Sequence, residues 1–475
     1  MADTLTPDVC IIGAGSGGLT AAAVCAGFGV PVVLIEKHRM GGDCLNVGCV
    51  PSKAILAAAK HAHAIREGRA FGVNAAEPEI DFQRVHDHIH EVIAAIEPND
   101  SVERFEGMGV TVLKGEAAFT APDCVRVGET DIRARRFVVA TGSRPFIPPI
   151  PGLAEVPYLT NEVLFDRTER PGHLIIIGGG PIGLEMAQAH RRLGAEVTVI
   201  EAADLLGRED REAAAVVEKA LIEEGVRLEI RAKVVGVERD GDGVCVTIED
   251  TGGRTGMIAG THLLVAAGRA VNVEGLGLDK AGIEHSRRGI VVDKGLRTTN
   301  RKVFAIGDVA GGLQFTHVAG YHGALIARNI LFRVPIKENR TILPRTTYTD
   351  PEVASVGLTE EEAKAAHGAI KVFRWPFHDN DRAQAERRVE GFIKLITNKR
   401  GRILGAVCAG PKAGEIISLW GLAVSRRMGV RDIAGWVAAY PTLAEVGKRA
   451  AVEFYRPGLT NPTLRKIIAF LRRFG

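Results

Sequence analysis

Two cysteines separated by four residues stand in the run Gly41-Gly42-Asp43-Cys44-Leu45-Asn46-Val47-Gly48-Cys49-Val50-Pro51-Ser52-Lys53. That spacing permits an intrachain disulfide that can be reduced and re-formed. Pro51 suits the first position of a helix, where its missing N–H would have had no partner, so both thiols are expected just ahead of a helix. A thiol at a helix N-terminus feels a positive potential, which lowers its pKa and favours the reactive thiolate. Two other readings are buried free cysteines and half of a zinc site. Zinc needs a second pair of ligands at matched spacing, whereas Cys10, Cys25, Cys124, Cys245 and Cys408 are scattered singly. Those five are assigned to packing, and no resident metal is expected. Seven cysteines in 475 residues also do not make a secreted disulfide framework.

A redox pair needs a rigid frame, and the chain around it alternates strand and helix. Residues 8–12 read as an apolar strand, Gly13-Ala14-Gly15-Ser16-Gly17-Gly18 as a glycine turn, residues 19–27 as a helix, and residues 31–35 as a strand ending in Glu36. This is a βαβ unit with G-x-G-x-x-G at Gly13, Gly15 and Gly18. Such glycines let the backbone approach a pyrophosphate, the helix N-terminus offers it free N–H groups, and the terminal carboxylate holds ribose hydroxyls. The pattern recurs with a strand over residues 173–177, glycines at Gly178, Gly180 and Gly183, a helix over 184–193 and a strand over 196–200 ending in Glu201. In both units the acid follows the first glycine by 23 residues. One copy is weak evidence, since glycine turns also occur where no nucleotide binds; two copies at equal spacing are strong. Two dinucleotides in one chain point to a flavoprotein that takes hydride from a nicotinamide.

Between the units, residues 137–145 run from a strand into a crossing loop through Pro148, Pro149, Pro151 and Gly152. A similar strand and break over 263–268 closes the second unit, and Val303-Phe304-Ala305-Ile306-Gly307-Asp308 is again strand, glycine, acid. Beyond residue 344 no glycine fingerprint appears, and strands are followed by helices from Ala413 and Thr442. The expected class is α/β: two Rossmann-like dinucleotide-binding domains and a C-terminal α+β domain, which the family resemblance given below makes a dimerisation domain. The expected division is 1–150 and 151–275 for the two nucleotides, 276–344 as a return to the first, and 345–475 for the C-terminal domain. The 60 Lys and Arg against 57 Asp and Glu make no electrostatic case for nucleic acid. An apolar content of 46% excludes wholesale disorder. Residues 9–35 are apolar but interrupted by glycines and Pro31, against a membrane span. Residues 1–7 carry no positive charge, which does not suit a secretory leader; a cytoplasmic protein is expected.

Taken together, the first glycine turn, GGDCLNVGCVPSKA, ATGSRP, GGGPIGLE, VAAGRAVN, VFAIGDVAG and YTDPEVASVGLTEEEA resemble the class I pyridine nucleotide-disulfide oxidoreductases. This is the family of dihydrolipoamide dehydrogenase, glutathione reductase and the catalytic core of mercuric reductase, and the resemblance spans residues 7–455. It implies a homodimer that uses FAD and NAD(H). It implies that Cys49 is the charge-transfer thiol near the flavin and Cys44 the interchange thiol that attacks substrate. Lys53 would pair with Glu185 beside the flavin N5. Gly13, Gly15, Gly18 and Glu36 would hold the adenosine end of FAD, and Asp308 its ribitol. Gly178, Gly180, Gly183 and Glu201 would hold the nicotinamide nucleotide. Gly42, Thr141, Gly142, His317 and Gly268, with Lys53, complete the cofactor-binding set. An acid rather than an arginine after the second strand favours NAD(H) over NADP(H).

One departure bears on the acceptor. Family members acting on thiol substrates carry a His-Pro-Thr-x-x-Glu run whose His, from the partner subunit, moves the thiol proton. Here the run is Tyr440-Pro441-Thr442-Leu443-Ala444-Glu445. A phenol titrates near ~10 and an imidazole near ~6.5, so Tyr440 is a poor base at neutral pH beside the retained Glu445. Mercuric reductase is similar in having Tyr here, but it also carries a vicinal cysteine pair near its C-terminus, and residues 470–475 hold none. The acceptor readings are a small disulfide or lipoyl group, as for dihydrolipoamide dehydrogenase, and a thiolate-bound metal ion. A low-turnover flavin redox sensor or partner scaffold is the alternative from a different class.

Weaker features have plain readings. His86 and His90 share a helix face, read as solvated surface rather than a metal site. His317, Tyr321 and His322 follow Asp308 and read as hydrogen-bonded pocket residues, with a substitute proton donor as the other possibility. Residues 461–475 read as an amphipathic helix capped by Asn461 and opened by Pro462. Leu464, Ile467, Ile468 and Leu471 fall on one face, with Arg465, Lys466, Arg472 and Arg473 around it. It could meet an anionic membrane surface or the dimer surface; its shortness favours the latter.

Overall fold

In the computed structural model, which describes residues 4–474, the apolar run Val9–Ile12 is a fully buried strand, β1. Helix α1, Ser16–Gly27, returns the chain to strand β2, Val32–Glu36. Both strands lie in a five-stranded parallel sheet ordered Val303–Ala305, Arg136–Val139, β1, β2, Val110–Lys114. Its register sets Val9 against Val32 and Ile12 against Ile35. Period-two alternation sends the side chains to two separate cores. Val9, Ile11, Leu34, Val138 and Phe304 pack with α1 on one face. Cys10, Ile12, Val33, Phe137 and Val139 pack on the other against Phe119, Val125 and Ile132. A sheet covered on both faces needs unbroken apolar strands, which is what these sequences supply.

The chain forms two compact units. The first runs through Gly178 and includes Ala189–Ala202 and Ala232–Glu338; the second comprises Gly179–Gln188, Ala203–Arg231 and the chain from Asn339. Besides the sheet above, the first unit pairs His173–Ile177 in parallel with Glu196–Glu201 and with His262–Val265. In the second unit, strands Arg345–Thr347, Glu352–Gly357, Ile403–Gly410, Phe392–Asn398 and Ile370–Pro376 form an antiparallel sheet in that order. Helix Ala413–Ser425 packs on it through the fully buried Trp420. The helix expected from Thr442 begins instead at Glu445 and ends at Val452.

The five scattered cysteines are all buried. Among the described residues no helix is long and apolar enough to cross a membrane.

Candidate active site

The two thiols belong to separate helices. Cys44 lies in α2, Gly42–Asn46, and Cys49 is the first residue of α3, Cys49–Glu67. The helix therefore opens two residues before Pro51. A proline is tolerated anywhere in a first turn, because those N–H groups have no intrahelical acceptor. Both thiols are free, Cys44 half-buried and Cys49 exposed. A hydrogen bond from Cys44 lowers the Cys49 pKa to about 6, against the opposing effect of burial, with further help from Thr316 and the Lys53 ammonium. The same hydrogen bond, with burial, pushes the Cys44 thiol up. The shared hydrogen bond thus favours the charged form at Cys49 and the neutral form at Cys44.

Thr316 was not expected here. Its Oγ1 is 3.2 Å from Cys49 Sγ, carried by the first turn of helix Thr316–Phe332. The nearest sequence signal is its place just after the Val303-to-Asp308 motif and just before His317.

A second unforeseen element is a polar chain through Arg269. Its Nε donates to Ser143 Oγ at 2.7 Å, and that hydroxyl donates to Asp308 Oδ2 at 2.5 Å. The same guanidinium pairs with Asp43 Oδ1 at 3.2 Å and lies 3.8 Å from Asp308 Oδ2. Burial pushes the Asp308 carboxyl up, opposed by Ser143 and Arg269. The neighbour of Cys44 and the expected ribitol ligand are therefore tied by one arginine.

His322 has partners at both ring nitrogens, as the hydrogen-bonded pocket reading expects. It is buried; its Nδ1 accepts the Gly307 N–H at 3.2 Å, and its Nε2 is 3.0 Å from Glu338 Oε1. Nδ1 thereby holds the turn ahead of Asp308, and Nε2 faces Glu338. His317 is exposed and stacks on Phe315, with ring centroids 5.3 Å apart.

The first glycine turn fits a dinucleotide. Gly13 has φ +105°, and a Cβ there would lie 2.4 Å from the Ala140 carbonyl oxygen; at Gly18 it would lie 1.9 Å from the Gly13 oxygen. Glu36 accepts the N–H groups of Ala14 and His38, each at 2.8 Å, so its carboxylate fixes the turn. Gly42 brings the thiol segment against Gly15. Bare backbone with exposed N–H groups is what a diphosphate requires. In the second fingerprint, Gly178 has φ +118° and the same close approach to a carbonyl, that of Ala266. Glu201 ends its strand as Glu36 does. Gly180 and Gly183 lie in the second unit, Gly183 within helix Pro181–Arg192.

Thr141 and Asn272 exchange hydrogen bonds of 2.7 and 2.9 Å beside Gly142. Gly268 has φ +120°, and its carbonyl accepts the Phe146 N–H at 2.9 Å. Lys53, in the first unit, lies 3.4 Å from Ser52 Oγ. Glu185, in the second, is buried and accepts the Tyr348 N–H at 2.9 Å.

A cavity of about 430 Å³ adjoins the thiols, lined by Cys44 and Thr316 and by the apolar Leu19, Val50, Ile96 and Phe105. In the second unit, Tyr440 is 70% exposed and its hydroxyl donates to Asp381 Oδ2 at 3.0 Å, which pushes the phenol pKa up. Glu445 accepts the Thr442 N–H at 3.5 Å. His86 and His90 do share a face, their ring centroids 4.3 Å apart. Among the described residues no three His, Cys, Asp or Glu side chains gather as a metal site.

Residues 7–323 match the family described as pyridine nucleotide-disulphide oxidoreductase, and residues 343–451 match its dimerisation domain. The mercuric reductase of Streptomyces lividans is 36% identical over 455 residues, covering 94% of this chain and 96% of that protein. The dihydrolipoyl dehydrogenase of Geobacillus stearothermophilus is 36% identical over 457 residues, covering 93% and 94%. Among solved structures, LpdA of Mycobacterium tuberculosis superposes with a TM-score of 0.86 at 30% identity, covering 94% of this chain and 99% of that one. The Cu(II) complex of the HOCl-induced flavoprotein disulfide reductase RclA of Escherichia coli gives 0.81 at 29% identity, covering 92% and 98%. The dimerisation domain supports a homodimer, and the family implies FAD and a nicotinamide dinucleotide. With its paired thiols, glycine cradles and both family domains, this chain belongs to the pyridine nucleotide-disulfide oxidoreductases.

Proposed function

We propose that the enzyme carries electrons from NADH to Cys44 and Cys49, and from them to a small disulfide, lipoyl group or thiolate-bound acceptor that enters the cavity beside Cys44. The observation that carries this reading is the placement of the pair: Cys44 stands in the cavity wall, and Cys49 opens helix α3 with its Sγ 3.2 Å from Thr316 Oγ1. The chemistry that FAD supplies when bound is hydride acceptance from the nicotinamide and two-electron delivery to sulfur. Gly13, Gly15, Gly18 and Glu36 would hold its adenosine end, and Asp308 its ribitol. Gly42, Thr141, Gly142, His317 and Lys53 would contribute to the same site, and the family resemblance gives Glu185 a role at the ring. Gly178, Gly180, Gly183 and Gly268 would serve the nicotinamide nucleotide, and Glu201 would accept its ribose hydroxyls, which favours NAD(H) over NADP(H).

At the reduced pair, Cys44 passes its proton to a base and attacks one sulfur of the acceptor, and a mixed disulfide forms as the acceptor S–S bond breaks. The Cys49 thiolate then attacks Cys44 sulfur, closing the Cys44–Cys49 disulfide and releasing the second acceptor thiolate. Two electrons have passed to the acceptor, and its two thiolates take up two protons. Tyr440, beside Glu445, is protonated at neutral pH and is a weak base for this traffic. That favours a second reading for the acceptor, a metal ion held by thiolates, which needs no such proton transfer.

Anaerobic titration of the holoenzyme with NADH tests the scheme. Consumption of two reducing equivalents beyond the flavin, with Cys44 and Cys49 becoming alkylatable, is expected. Reduction that stops at the flavin would assign the low-turnover sensor instead. Parallel assays with lipoamide, glutathione disulfide, mercuric ion and cupric ion separate the acceptors.

A further inference from the structure

The last helix lies outside every element invoked so far. Pro462–Leu471 begins beyond residue 451, where the dimerisation-domain match ends. It is a well-formed helix: Asn461 accepts the N–H groups of Thr463 and Leu464 at 2.9 and 3.3 Å, and Pro462 fills the first position. Arg465 Nε ties it to the Leu459 carbonyl at 2.9 Å. None of its residues is buried. Leu464, Ile467, Ile468 and Leu471 are 44–58% exposed, and their i, i+3, i+4, i+7 spacing makes one apolar face. Phe470 and Phe474 widen it, their rings 5.1 Å apart. Arg465, Lys466, Arg472 and Arg473 flank and oppose that face, and with Arg456 they give five cations and no acid over residues 456–474.

We propose that this helix docks on an anionic lipid surface, lying in the headgroup plane with its apolar face inserted and its cations at the phosphates. Charge decides between a bilayer and a second copy of the chain. Two such helices brought together would set cation against cation, whereas lipid phosphates match the four cations of the helix; Arg456 is already paired with Glu453 at 3.0 Å. The match to the family's dimerisation domain also ends before the helix starts. Ten residues span only about 15 Å, so the helix rests on a membrane rather than crossing it. A homodimer presents the anchor twice, which raises the affinity that one short helix provides.

The test is co-sedimentation of the full-length holoenzyme with vesicles of phosphatidylglycerol and phosphatidylcholine, against vesicles of phosphatidylcholine alone. Binding to the anionic vesicles only, and its loss in high salt, is expected. Arg472→Glu with Arg473→Glu should weaken the partition by about twentyfold or more, from roughly fivefold per cation. Ile467→Asp with Ile468→Asp should abolish it while flavin content, dimer mass and NADH-dependent thiol reduction stay unchanged. Failure to bind anionic vesicles, or equal binding to neutral ones, overturns the proposal. Dissociation of the Ile467→Asp, Ile468→Asp protein into monomers also overturns it and assigns the face to a second copy.

Discussion

The thiol turn and the 440–445 loop are built to different standards. Around Cys44 and Cys49 almost every polar group is committed: Arg269, with 13% of its side chain exposed, joins Asp43 to Ser143 and Asp308, and Thr316 reaches Cys49. Tyr440 is 70% exposed, and its hydroxyl donates to Asp381, which pushes the phenol pKa up. The thiol end is fixed by contacts within its own unit, while the 440–445 run, to which the proposed function gives the proton transfer, offers a phenol where that transfer calls for an imidazole. If that contrast is right, variants in the first region should be severe and variants in the second mild or even favourable.

The severest effect is expected from the thiols themselves. Cys44→Ser or Cys49→Ser should each lower acceptor reduction by ~10³-fold or more, because neither cysteine can close the disulfide alone. They should differ in spectrum: Cys44→Ser keeps the Cys49 thiolate and its long-wavelength charge-transfer absorbance, and Cys49→Ser loses it. Absorbance spectra with and without NADH check both, and identical spectra would reverse the assignment of the two thiols. Next in size is a gain. Tyr440→His, beside Glu445, restores an acid–base group matched to neutral pH, and lipoamide turnover should rise by up to ~10²-fold with a titration near pH 6–7.

Glu201→Arg comes third. Exchanging a carboxylate for a guanidinium at the ribose should shift the NADH-to-NADPH ratio of kcat/KM by roughly tenfold or more towards NADPH. Unaltered enzyme that already prefers NADPH would contradict the role given to Glu201. Thr316→Val is milder. Its hydroxyl favours the charged form of Cys49, so its loss moves the pKa up from about 6 and lowers the thiolate fraction at pH 7, which starts near ~90%. Alkylation of Cys49 as a function of pH should show a higher midpoint, with the wild-type profile regained in Thr316→Ser. Above pH 9 the two profiles should converge.

What the sequence made legible is what depends on local backbone. Gly13 and Gly178 need positive φ within a tight turn, and the acids 23 residues on end their strands, so both cradles could be read directly. The Asn461 cap and Pro462 start were equally local. Thr316 could not be read this way, because the contact with Cys49 joins residues 267 apart and exists only when the Thr316–Phe332 helix is packed. Ser143 and Arg269 stood inside recognised motifs, but their partnership needs the antiparallel pairing that sets Val271 against Ser143. His322 drew attention for its nearness to Asp308, and burial against Glu338 gave it a structural task. The helix starts at Cys49 and Glu445 differ from expectation because tertiary packing, rather than the nearest proline or threonine, settled the first turn.

The smallest effect expected is that of Tyr440→Phe on disulfide reduction, and it is the sharpest test of the contrast. The phenol donates to Asp381, and the carboxylate that accepts its proton raises the pKa further from neutrality. A group held protonated cannot take the proton released by Cys44, and a phenol of raised pKa surrenders its own proton slowly to a thiolate. Removing the hydroxyl should therefore leave lipoamide turnover and thiol reduction by NADH within about twofold of wild type. A metal-ion acceptor predicts a different pattern, because there the hydroxyl would act as ligand or donor: Tyr440→Phe would lose mercuric or cupric reduction and keep thiol reduction by NADH. A tenfold or larger fall in lipoamide turnover would break the contrast outright. It would make Tyr440 a working acid, with Asp381 as the group that positions it, and Asp381→Asn should then reproduce the loss.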